Sequence, residues 1–293
     1  MLGHSGAGKT TYVSLMYREM QDGVAGFQLR AQKPKDHDQL LRDAAAILHG
    51  RYPDPTHQRT SYQLVLRYDG EEVFPFRWRD YRGGALNDRS TSADVTELHE
   101  DLTSTDGIVL FVDAVKLLTD HRAGRDVRRL VTHVQRALDA RDEVLTPLVI
   151  AVTKCDLVDL DAPSVLDTLY EPFEPLVEAV GTTEHVYGTI LPVACGPEPV
   201  NVVIPVLWAL RFGLFGRAMR LQAAIESAQQ AAAYAASRDT LGDRFFSWLK
   251  DEPSWASISQ QHQATALDEL HNLEPLLEPT DRLSAVLEDV PGF

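Results

Sequence analysis

Gly3, Gly6, Gly8, Lys9 and Thr10 stand in the order G-x-x-x-x-G-K-T. Glycine at these places lets successive backbone N–H groups turn inward around an anion, and a helix starting just after them aims its positive end at the same point. In such a cradle Lys9 reaches the β- and γ-phosphates of a nucleotide, and the Thr10 hydroxyl ligates Mg²⁺. Ser5, Ala7 and Thr11 line the rest of the loop and the first turn. A chance glycine-rich turn is the alternative, and the helical pattern that follows at once argues against it.

A phosphate loop alone does not choose among kinases, ATPases and GTPases, so other segments must. Thr153-Lys154-Cys155-Asp156 follows directly on the apolar run LVIAV. That places it at the carboxyl edge of a parallel sheet, where ligands of such sheets bind. There the Asp156 carboxylate can accept hydrogen bonds from guanine N1 and N2 together, with the Lys154 stem along the base plane; adenine carries no proton on N1 and would be repelled. Arg79 to Gly84, RDYRGG, supplies D-x-x-G through Asp80 and Gly83. Asp80 at a strand end binds Mg²⁺ through a water, and the Gly83 amide bonds the γ-phosphate. Val193 to Gly196, VACG, offers the Ala194 amide to the guanine oxygen, with Cys195 beside it; an ordinary strand-to-helix turn is an equal reading.

These residues need elements to hold them. A helix is expected over 10–20 and helical spacing over 38–49. Strands at 62–68 and 73–80 join through Asp69-Gly70, a hairpin signal, although Pro75 weakens the second. A short helix is expected at 94–102. The apolar runs 107–113, 148–153 and 186–194 read as strands covered on both faces, separated by helical patterns at 120–141 and 164–180. Strands alternating with helices imply an α/β fold with a mostly parallel sheet. From Val202 onward the chain reads as all helical, with an alanine-rich stretch, an apolar knot at 245–249 and one or two short helices split at Pro275 and Pro279. The expected domains are a nucleotide-binding domain over 1–215 and a helical extension over 216–293.

The chain has 293 residues and a net charge of −15. Such a field repels nucleic acid and anionic membrane surfaces, so a phosphate ligand must be held by local geometry. Cys155 and Cys195 fit a reducing, cytoplasmic compartment. The run 200–215 is broken by Asn201, Pro205 and Arg211, and reads as a buried helix rather than a membrane span.

In motif order the chain resembles the translation-factor-related (TRAFAC) class of P-loop GTPases, which contains the Ras-like small GTPases. The resemblance covers about residues 1–215 and implies a Ras-like G domain that binds GTP or GDP with Mg²⁺. Asp54-Pro55-Thr56, shortly before Ser61-Tyr62, is similar to a Ras-like switch segment, which implies that Thr56 ligates Mg²⁺ and senses the γ-phosphate, with Thr60 as the fallback. Gly84 stands where Ras-like enzymes place the glutamine that orients water, which implies slow hydrolysis, and Ser5 stands where many carry glycine. The long insertion before Tyr52 is more like the bacterial double-GTPase families. Arg82 and Arg89 are candidates for a positive charge supplied in cis, against two solvated loop arginines.

In this fold the strand before the phosphate loop lies between the D-x-x-G strand and the 107–113 strand, and Met1 and Leu2 cover only a fraction of it. A translation start further upstream is the leading expectation; a domain fragment, or closure of the neighbouring strands, are the others. The expected function is a slow, Mg²⁺-dependent GTP switch acting on a protein effector or regulator, with another GTPase among the candidates. A non-hydrolysing nucleotide-binding scaffold and a P-loop ATPase or kinase are the alternatives.

Overall fold

A computed structural model describes residues 1–53, 60–80, 92–141, 144–238 and 255–293. In chain order its elements are α1 (Lys9–Asp22), β1 (Phe27–Ala31), α2 (Pro34–Leu48), β2 (Thr60–Tyr68), β3 (Glu71–Asp80), α3 (Ser92–Ser104), β4 (Ile108–Asp113), α4 (Ala114–Thr119), α5 (Ala123–Asp139), β5 (Thr146–Thr153), α6 (Pro163–Tyr170), α7 (Glu174–Gly181), β6 (Val186–Val193), α8 (Ile204–Arg238) and α9 (Trp255–Val286). They fall into two units, Met1–Gly213 with Leu283–Phe293, and Leu214–Arg282.

The first unit is α/β. Its apolar runs become β4, β5 and β6, paired in parallel with β5 central. Every residue of β4 and β5 is buried, as expected of parallel strands covered by helices on both faces. Leu98 of α3, Leu130 and Val134 of α5, and Phe173 and Leu176 near α7 join the core formed with these strands. The hairpin β2–β3 turns at Asp69 and Gly70, with φ of 47° and 91°; glycine and aspartate tolerate this left-handed region, and it suits the twist of the strands. Strand β1, unforeseen in the sequence, adds antiparallel to β2. Its five residues alternate Phe27, Leu29 and Ala31 inward with Gln28 and Arg30 between them, a signal too short to stand out from the surrounding loop.

Helix α1 joins the sheets. Tyr12 meets Phe111 of β4 edge-on at 4.8 Å and stacks with Trp78 of β3 at 6.2 Å between centroids. Between β3 and β4 the chain places only its first residues: the Met1 ammonium donates to the Arg79 carbonyl at 2.6 Å, Leu2 donates to Val109 at 2.8 Å and Phe111 donates to Leu2 at 2.7 Å. The neighbouring strands do not close up. A cleft of about 610 Å³ remains, lined by Phe74, Phe76, Leu98, Leu102 and Ala209 among others. Pro75 pairs with Val65 in β3, an edge strand of the sheet β1–β2–β3, the kind of strand that tolerates a missing N–H.

The last residues return to this unit. Gly188 in β6 and Phe293 exchange backbone bonds of 2.9 and 2.8 Å, and the Thr189 hydroxyl donates to the Pro291 carbonyl at 2.7 Å. The Phe293 ring lies where a Cβ on Gly188 would stand.

In the second unit α8 runs back as α9. The Ser259 hydroxyl donates to Ala232 at 3.0 Å, Trp255 meets Tyr234 edge-on at 6.3 Å, and Ala228, Ala232, Ala235 and Ala266 are buried. Small residues on the facing sides let two helices approach closely. The expected split at Pro275 and Pro279 is corrected: α9 is continuous through both. The carbonyls that lose their partners to the prolines belong to His271 and Pro275, both exposed, so water can take the bonds. The knot at 245–249 lies outside the described residues. No described helix is long and apolar enough to cross a membrane.

Candidate nucleotide-binding site

The phosphate loop curls between β4 and α1. Gly6 and Gly8 both have φ of 81°, and Gly8 precedes the first residue of the helix, a conformation that residues with a Cβ adopt at a cost. Lys9 is 8% exposed; its ammonium donates to the Gly3 carbonyl at 2.8 Å and the His4 carbonyl at 3.4 Å. Burial pulls its pKa down, and Asp80, with Oδ1 at 3.9 Å, pushes back. The loop thus holds a desolvated cation facing backbone carbonyls, a place where an incoming anion gains more than it would in water. Ser5 and Gly6 are exposed, Ala7 is buried, and Thr10 and Thr11 are half-buried in the first turn of α1.

The segment after β5 is tied to this loop. The Thr153 hydroxyl, fully buried, lies 3.0 Å from the Ala7 carbonyl and 3.1 Å from the Val112 carbonyl. Lys154 stands in the left-handed region at φ 60°, an uncommon place for a side chain and one that marks sites under functional constraint. Asp156 is exposed, and its Oδ2 lies 3.6 Å from the point a Cβ on Gly196 would occupy. The segments 153–156 and 193–196 therefore converge as a purine pocket requires. The Ala194 N–H, read either as facing the guanine oxygen or as part of an ordinary turn, donates to Val200 at 3.1 Å, because the chain turns back on itself before α8. Cys195 beside it is half-buried, and burial with the nearby Asp156 pushes its thiol up to about 12. Both cysteines are free.

Asp80 ends β3 facing the loop. Its Oδ1 is buried with no hydrogen-bond partner among the described residues, and burial raises its pKa against the pull of Lys9. An orphaned carboxylate oxygen within reach of the phosphate loop fits a hard divalent cation, with the Thr10 hydroxyl as the second protein contact. Among the described residues no cluster of three or more His, Cys, Asp or Glu side chains could hold a metal ion. Thr60 opens β2, half-buried. Thr56, Gly83, Gly84, Arg82 and Arg89 lie outside the described residues.

A raised carboxylate pKa has a definite pH signature. Above its folded pKa the ionised Asp80 costs stability, and the cost disappears as pH falls through that value. Wild type is therefore expected to melt below Asp80→Asn at neutral pH in the absence of ligand, the gap closing as the solution is acidified toward the carboxylate range. A gap that does not change with pH contradicts it.

Three residues near the site escaped sequence reasoning. Asp113, 6% exposed at the end of β4, binds Lys154 at 2.5 Å. Lys116 in α4 donates to the Ser5 carbonyl at 3.2 Å. The Tyr52 hydroxyl lies 3.7 Å from the Gly196 Cβ position, beside Asp156. An acid at the end of an apolar strand and an aromatic ahead of the switch segment were the available signals.

The family model for Double-GTPase 1 matches residues 1–160, from the phosphate loop through Asp156. The chain belongs to the Double-GTPase 1 family. As a member it is a P-loop GTP-binding protein of Ras-like type. Among solved structures, the signal recognition particle receptor SRb-GTP/SRX complex from Chaetomium thermophilum is similar at 12% identity and a TM-score of 0.40, covering 72% of this chain and 95% of that one. No curated protein matches this Double-GTPase 1 chain.

Proposed function

We propose that this chain is a Mg²⁺-dependent GTP switch that hydrolyses GTP slowly and passes its nucleotide state to a protein partner in the cytoplasm. The observation that carries the reading is the Thr153 hydroxyl on the Ala7 carbonyl at 3.0 Å. It fixes the base-reading segment against the phosphate cradle, so one ligand can span both.

On entry of a nucleotide the Lys9 ammonium exchanges the Gly3 and His4 carbonyls for anionic phosphate oxygens, a stronger, charge-assisted contact. N–H groups of the loop would bond the same oxygens, and the start of α1 adds its positive end. Asp156 selects guanine by accepting from N1 and N2, and Tyr52 closes the pocket from the side of the insertion. Mg²⁺, held by Thr10 and Asp80 with Thr56 joining in the GTP state, would neutralise charge building on the phosphate oxygens. Gly84 offers no side chain to orient an attacking water, which supports a low intrinsic rate. The helices beyond the G domain would carry the state of the 54–60 and 80–84 segments to a partner, another GTPase being one candidate.

The test is titration of the purified chain with GTP, GDP and ATP, with and without Mg²⁺, followed by turnover of bound GTP. Micromolar or tighter guanine binding, weak ATP binding and turnover over minutes to hours are expected. Equal affinity for ATP sinks the specificity. Tight GTP binding without turnover under any condition favours the non-hydrolysing scaffold, for which Gly84 is the motivating residue.

A further inference from the structure

Of the chain's lysines, Lys9, Lys33, Lys35, Lys116, Lys154 and Lys250, three converge on one end of the parallel sheet. Lys9 lies within the loop, Lys116 reaches its outer side from α4, and Lys154 stands at the base-reading segment. Three carboxylates, Asp80, Asp113 and Asp156, stand at the same end, and the flexible lysine chains serve a ligand only if something buried holds them in place. Asp113 is placed to do so. Its side chain is 5% exposed, and both of its oxygens are engaged: Oδ2 with the Lys154 ammonium at 2.5 Å, Oδ1 with the Lys116 backbone N–H at 3.1 Å, which caps α4. The same helix then delivers the Lys116 ammonium to the Ser5 carbonyl, 3.2 Å away and 3.3 Å from where a Cβ on Gly6 would stand.

We propose that Asp113 is the positioning residue of the nucleotide site, one oxygen setting Lys154 under the base and the other setting the helix that brings Lys116 against the phosphate loop. Base recognition and phosphate recognition are thereby joined through one buried carboxylate. Lys154 needs such a partner because its left-handed backbone places its stem, but leaves a four-carbon chain free to swing; a buried anion at 2.5 Å removes that freedom before the ligand arrives. Lys116 holds the Ser5 carbonyl, and its charge adds to that of Lys9 at the loop. This inference rests on the GTP-binding reading above.

Asp113→Asn tests it with little structural disturbance, since the amide oxygen still caps α4 while the charge that holds Lys154 is gone. Affinity and release rate of a fluorescent GDP analogue are measured for wild type, Asp113→Asn, Lys154→Met and the double variant. Asp113→Asn and Lys154→Met are each expected to weaken binding about tenfold or more, and the double variant is expected to lie within about twofold of Lys154→Met alone, because the two act as a unit. A purely structural role of Asp113 makes its cost persist in the Lys154→Met background, and full additivity therefore overturns the proposal, as does wild-type affinity of Asp113→Asn. Lys116→Met checks the other arm without touching the carboxylate: weaker binding, restored by Lys116→Arg, is expected, and unchanged binding overturns that arm. If the wild type binds no guanine nucleotide, the underlying GTP reading fails; if it binds and these variants match it, only the role of Asp113 and Lys116 fails.

Discussion

Replacing Asp156 by asparagine is expected to cost GTP and GDP about a thousandfold in affinity and to improve binding of xanthosine nucleotides relative to wild type. In the proposed mode the carboxylate would make two charge-assisted bonds to guanine, each worth about 1.5–3 kcal/mol, and asparagine presents one acceptor and one donor to an edge that carries two donors. Xanthine bears an oxygen where guanine bears its amino group, so the asparagine N–H₂ then finds an acceptor while its oxygen still accepts from N1. A site with buried polar groups built for one edge rejects the mismatched one far more strongly than an apolar pocket would. Asp156 is itself exposed in the structure, so its substitution removes no packing and the fold is expected to persist. Calorimetric titration with GDP and XDP decides the matter: unchanged preference means that the 153–156 segment does not read the base.

The second large effect is expected at Gly3. An alanine there would put its Cβ 2.5 Å from the Phe111 carbonyl oxygen and 3.1 Å from the Phe111 Cβ, at φ 153°. The obstacle is the backbone of a fully buried strand, so it cannot swing aside like the end of a side chain. Overpacking of this kind costs about 1–3 kcal/mol and more where nothing yields, and here it also displaces the carbonyl that holds Lys9 and the first bonds of Leu2 to β4. Taking about 3 kcal/mol, the upper end, because the obstacle is backbone, and 2–4 °C per kcal/mol for a domain of this size, Gly3→Ala is expected to lower the melting temperature by about 6–12 °C and to lose nucleotide binding with it. Gly181→Ala is the control: no heavy atom lies within 4 Å of its Cβ position, and it is expected to stay within about 1 kcal/mol of wild type. Equal melting of the two variants contradicts the account.

The parts of the site visible in the sequence are those where chemistry demands a residue type at a fixed spacing. Gly6, Gly8 and Lys9 could be read because a phosphate cradle tolerates few alternatives, and β4 and β5 because a strand buried on both faces must be apolar throughout. Asp113 could not, since its role depends on Lys154 forty-one positions later, a contact that only the pairing of β4 with β5 creates. Of the two readings open at Ala194, the amide bonded to Val200 fits the strand-to-helix turn, a local bond that no residue-type pattern announces. The prolines of α9 misled because a proline removes a bond and crowds the carbonyl four residues back, yet a helix can continue past it where the orphaned carbonyls lie on exposed residues that water reaches. Strand β1 was lost to its brevity.

The bonds between Phe293 and β6 bear on how the protein can be shortened. The order of motifs invites a minimal version that stops where α8 leaves the first unit, near residue 213. Such a trimmed chain would shed more than helices, for it would uncover the outer margin of β6 and leave the hollow at Gly188 without its aromatic plug. Bare strand margins recruit other strands, so clumping of a trimmed product would report a stripped sheet rather than a failed fold. Keeping the terminal segment joined by a flexible bridge avoids the artefact.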